Sequence, residues 1–140
     1  MKRQILHSMF AAAALLAVAG SASAQMLKAE IPFAFRANNT LMQPGSYEVT
    51  GIRTSNAVMY SLRNVDTHQA VLLSTYVAKD PGKDWVKSGT AKVGFACTDN
   101  RCALSELWTG GASAYGFFVP KRGSGETREI ALSPSPNKAD

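Results

Sequence analysis

After residue 24, apolar and polar positions alternate with a period of two, the pattern of strands with one buried face. "AEIPFAFRA" (29–37) sets Ile31, Phe33 and Phe35 on one side and Ala34 and Arg36 on the other. "SYEVTGI" alternates Tyr47 and Val49 with Glu48 and Thr50, and "AVMYSLRN" alternates Val58, Tyr60 and Leu62 with Met59, Ser61 and Arg63. "QAVLLSTYVA" (69–78) is apolar on both faces, as a central strand would be. "TAKVGFAC", "CALSELWTG", "AYGFFVP" and "TREIALS" complete the set. Pro44-Gly45 suits a type II turn, and Pro81-Gly82 interrupts the polar stretch "KDPGKDWVKSG". Turn residues recur roughly every 8 to 12 positions, which predicts about eight short strands in an antiparallel β-sandwich or a small β-barrel. The domain is expected to span 25–132, followed by a disordered tail, "SPSPNKAD" (133–140).

The N-terminus follows a different pattern. Lys2 and Arg3 precede the uncharged apolar run "MFAAAALLAVAG", which ends in "SASA" with Ala22 and Ala24 at the positions a signal peptidase reads. These are the three parts of a secretory signal, with cleavage expected after Ala24. The run is too short to span ~30 Å of hydrocarbon, which takes about 20 residues. Export places the protein in the periplasm or outside the cell. Removing Lys2 and Arg3 from the 15 basic residues leaves 13 against 10 acidic ones, a net charge of +3. Those charges are scattered, whereas a nucleic-acid face clusters them, so no nucleic-acid partner is expected. No other stretch is apolar enough to cross a membrane as a helix.

An oxidising compartment gives meaning to "CTDNRC" (97–102), which holds the two cysteines of the chain. With "TDNR" as a loop, Cys97 faces Cys102, Phe95 faces Leu104 and Val93 faces Glu106, so cysteine spacing and apolar pattern agree on one register. Asp99-Asn100 is good turn material. A Cys97–Cys102 disulfide is expected, and its short loop makes it worth roughly 2 kcal/mol. A redox pair would have closer spacing, and a metal site would need more ligands than His68, the one histidine after residue 24, can add. No metal and no cofactor is expected. The register places the Glu106 carboxylate on the apolar face between Leu104 and Trp108, where it must be paired or protonated unless a bulge turns it out.

"IPFAF" (31–35), "LMQPGSYEV" (41–49), "LSELW" (104–108) and "PKRGSGETREIAL" (120–132) occur in this order across most of the exported chain. In these blocks the chain resembles a family of small, uncharacterised secreted proteins of Acidobacteria-type soil bacteria, whose pattern runs I-P-F-x-F, L-P-A-G-x-Y-x-V, Y-F-L-S-E-x-W and P-x-S-R-x-E-R-E. The sequence departs from it at Met42-Gln43 and at Cys102, where the family favours an aromatic residue. The resemblance implies an exported β-domain and no particular activity. Its closing block supplies Arg128, with Arg122 second, as a partner for Glu106 in an ion pair docking the last strand onto the hairpin.

Candidate chemistry is sparse. His68 stands in "DTHQ", in an expected turn, without a partnered nucleophile. The glycines of "TGG" and "GSG" precede no helix and suit turns. Trp85, surrounded by charge, is either an exposed binding anchor or a side chain folded back over one end of the core. Three functions fit: a non-enzymatic extracytoplasmic module that binds a protein or small ligand, a carrier with a ligand inside a barrel, or a hydrolase using Glu106 or His68. The first fits the sequence best. An interior cavity would favour the carrier and a filled core the module.

Overall fold

A computed structural model describes residues 26–119 and 125–135. The elements are β1 (Met26–Ile31), β2 (Phe35–Ala37), β3 (Thr40–Met42), β4 (Gly45–Arg53), β5 (Val58–Asn64), β6 (Ala70–Ser74), β7 (Val77–Lys79), α1 (Lys83–Ser88), β8 (Lys92–Thr98), β9 (Arg101–Trp108), β10 (Ala114–Gly116), β11 (Glu126–Ala131) and β12 (Ser133–Pro134). They form an all-β sandwich of two sheets, and no sheet closes into a barrel. The first sheet has the order β12-β1-β4-β5-β6 and the second β11-β8-β9-β10-β7. The β2–β3 hairpin joins the second sheet through a parallel pairing of β2 with β9. The signal segment lies outside the described residues.

Twelve described strands replace the expected eight: two apolar runs divide, and the short β3 and β12 form where a loop and a tail were expected. "AEIPFAFRA" breaks at Pro32, which has no N–H to donate to a ladder. β1 therefore ends in the first sheet and β2 begins in the second. "QAVLLSTYVA" breaks at Thr75-Tyr76, with β6 at the edge of the first sheet and β7 at the edge of the second. The expected central strand is thus two edge strands, and Leu72, Tyr76 and Val77 are exposed. Gly45 begins β4 instead of completing a type II turn. Part of the tail is ordered too. Ser133 and Pro134 pair with Lys28 and Leu27 of β1, and the Ser135 N–H donates to the Met26 carbonyl. Residues 136–140 lie outside the described residues.

The two inner faces meet in one core. Leu27, Ala29 and Ile31 of β1, Tyr47 and Val49 of β4, and Tyr60 and Leu62 of β5 come from the first sheet, and Val93, Phe95, Leu104 and Leu107 from the second. Phe35 touches Tyr47 and Phe95 edge-on, each with ring centroids 5.2 Å apart, so one ring from β2 links both sheets. The core is filled. The void among Ala29, Leu62, Leu104 and Leu107 measures about 10 Å³, no more than one water's room.

Asn64 is the buried polar residue of the described core. Its Oδ1 accepts the backbone N–H groups of Asp66 and Thr67, at 2.9 and 3.0 Å, which closes the β5–β6 turn. Tyr47 donates its hydroxyl to the Gln43 carbonyl. Burial pushes the Tyr47 phenol above its ordinary 10.0, opposed by a hydrogen bond with Asn64. Tyr60 is raised as well, first by burial and then by Tyr115 nearby. The folded protein therefore keeps these protons to higher pH than the unfolded chain. The stability they contribute is present below about pH 10 and is lost as pH rises through the folded values. A melting temperature that falls above pH 10, less steeply in Tyr47→Phe, is the expected result. One that rises there would contradict it.

Candidate binding groove

The β8–β9 hairpin carries most of the residues singled out from the sequence. Cys97 and Cys102 are paired across it and bonded as a disulfide, both buried. The loop is tighter than expected: Thr98 pairs with Arg101, leaving Asp99 and Asn100, both at positive φ, as a two-residue turn. Further along, the register departs from a regular ladder. Phe95 faces Leu104, but Gly94 faces Glu106 and Val93 faces Leu107, so Ser105 is an extra residue on β9. This bulge turns Leu107 into the core and puts Glu106 and Trp108 on the outer face.

Glu106 therefore escapes the apolar core, and the expected pair with Arg128 does not form. Its carboxylate lies 3.3 Å from Lys79 Nζ on β7, two strands away. Arg128 faces the other side of the sheet. Its guanidinium sits 5.1 Å from the centroid of the Phe33 ring and holds Glu126 at 2.7 Å. Arg122 lies outside the described residues.

Trp85 is not an exposed anchor. It is 5 % exposed and belongs to α1, which Gly82 precedes and Gly89, at φ 66°, terminates. Its ring covers the outer face of the second sheet, over Gly94, and joins Trp108 and Ala114 in a small second core. A Cβ at Gly94 would stand 3.5 Å from the Trp85 ring, an ordinary contact, so the indole packs directly on the β8 backbone without requiring the glycine. Trp108 donates its indole N–H to the Gly111 carbonyl at 2.8 Å. His68 is exposed in the β5–β6 turn at φ 64°, with its ring against the Arg63 guanidinium. Among the described residues no cluster of His, Cys, Asp and Glu could hold a metal.

The feature that sequence reading missed is a groove of about 1020 Å³ on the free side of β9. One edge of β9 is fully paired with β8. Along the other, β2 pairs with Cys102 and Ala103 and β10 with Glu106 and Leu107, so the two neighbours part at the bulge. The β2–β3 hairpin forms one wall, built on a turn of Asn38 and Asn39, both at positive φ. Asn38 Nδ2 donates to the Leu72 carbonyl at 3.3 Å and ties that wall to the edge of β6. The other wall is Tyr76 and the stretch 117–119 after β10. The Tyr76 N–H donates to the Gly116 carbonyl at 2.8 Å, and the Tyr76 and Phe118 rings meet at 6.0 Å. These two aromatics are 73 % and 71 % exposed. Burying either would gain about 1.5–3 kcal/mol, which makes the pair a candidate ligand surface. Arg36 and Arg101 line the groove, and among the described residues no acidic one does.

Compared with protein-family models, curated proteins and solved structures, the chain matches none.

Proposed function

We propose that the protein is exported and acts outside the cytoplasm as a non-enzymatic binding module, with the groove beside β9 as its site. The observation that carries this reading is the pair of exposed rings, Tyr76 and Phe118, in an open groove next to a filled core. The filled core among the described residues favours a module over a carrier with an interior ligand. Glu106 and His68, on which a hydrolase would depend, do not line the groove. Glu106 is held by Lys79, and His68 stands beside Arg63 in an exposed turn. The buried disulfide fits an oxidising compartment, and no helix among the described residues is long and apolar enough to cross a membrane.

Site-specific photo-crosslinking in the host envelope tests this. A benzoyl-phenylalanine replacing Phe118 in the groove should form adducts, and one replacing Ile52 on the outer face of the first sheet should form few. Equal adducts at the two positions, or none from position 118, would contradict the groove as the site.

A further inference from the structure

We infer that the groove takes an acidic polysaccharide, a chain of sugars bearing carboxylates. This inference rests on the groove being the binding site, and it concerns what the groove recognises.

The charge of the groove sets the sign of the ligand. Arg36 and Arg101 are exposed, and none of the ion pairs among the described residues involves either of them. Arg36 spends one N–H on the Asn39 carbonyl, at 3.5 Å, and keeps its remaining donors. Two guanidiniums with no carboxylate among the described residues of the lining favour an anion, and the planar fork of arginine matches a carboxylate with two parallel hydrogen bonds.

The remaining lining chemistry suits a sugar better than a peptide. Asn39, Asn100 and Ser74 bring amides and hydroxyls that can both donate and accept, as sugar hydroxyls do, while the Thr75 hydroxyl, which donates to the Val58 carbonyl, can only accept. The exposed faces of Tyr76 and Phe118 offer flat apolar platforms for the C–H face of a pyranose ring. A peptide added as a strand would need a free row of backbone groups on the groove floor. Most of those of β9 are already taken on that side, where only Leu104 and Ser105 lie between the paired stretches. β2 takes Cys102 and Ala103, β10 takes Glu106 and Leu107, and the Ser105 carbonyl accepts the Phe117 N–H at 2.9 Å. Recognition on this floor therefore falls mainly to side chains, rings and guanidiniums, which read a glycan by its hydroxyls and acids.

The test is titration calorimetry of the exported chain with oligogalacturonate, oligoguluronate and hyaluronan fragments. Controls are methyl-esterified galacturonate, polyglutamate and a single-stranded oligonucleotide. At least one uronate should bind, more weakly as salt rises, and its methyl ester should bind about tenfold more weakly. Arg36→Gln and Arg101→Gln should each weaken binding about tenfold, and Tyr76→Ser with Phe118→Ser should abolish it. All four side chains are exposed, so an unchanged melting temperature will separate lost binding from lost fold. If no uronate binds, or if polyglutamate or the oligonucleotide binds as well as the best uronate, the inference is overturned. Neither result touches the crosslinking comparison, which judges the groove itself.

Discussion

Phe95→Ala is expected to destabilise the protein by about 3–5 kcal/mol, the range for truncating a buried aromatic. Phe95 is fully buried at the centre of the second sheet. Its ring meets Phe33 at 5.0 Å and Phe35 at 5.2 Å, both edge-on, and it stands opposite Leu104. Removing it leaves a void between two sheets that are each held by ladders, so the walls cannot collapse to fill it. Domains of this size are stable by about 5–15 kcal/mol in total, so the variant should sit close to its unfolding transition. Urea denaturation should show a large drop in midpoint with an unchanged slope. Phe95→Leu, which refills much of that void, should recover a large part of the loss. A drop of less than about 1 kcal/mol for the alanine variant would place this ring outside the load-carrying core.

Trp85→Ala should cost a similar amount, about 3–5 kcal/mol, but should spend it locally. Trp85 is the buried residue of α1 and touches Trp108 and Ala114 on the outer face, away from the main core. A helix of six residues has little stability of its own, so without this anchor it should detach. Hydrogen exchange should show lost protection at 83–88 and around Trp108, with the first sheet unchanged. Loss of protection across both sheets would mean that the two clusters form one cooperative core.

The sequence disclosed the strands where alternation was long and regular. The Cys97–Cys102 register was legible because two independent signals agreed on it, the cysteine spacing and the facing of Phe95 and Leu104. The fate of Glu106 was not, because it hangs on one extra residue, Ser105, and the glycine that marks the bulge, Gly94, lies on the facing strand. The partner Lys79 comes from a strand of three residues, too short to carry a period. Trp85 was surrounded by charge in the sequence, and α1 is only long enough to bury that one side chain. The groove draws on segments near residues 34–41, 73–76, 96–104 and 117–119, which no local window brings together. One trace of it was present. "QAVLLSTYVA" had more apolar residues than an edge position can bury, and the surplus is the exposed surface that includes Tyr76.

The central claim is that ligand binds in the groove and not between the sheets. Amide chemical-shift mapping of isotope-labelled residues 25–140 against a chemically diverse fragment library tests it most directly. The account predicts that shifts gather at Arg36, Leu41, Tyr76, Arg101 and Phe118, while Leu62, Val93 and Leu107 stay unmoved. Shifts centred on those core residues, or spread evenly over the outer face of the first sheet, would contradict it.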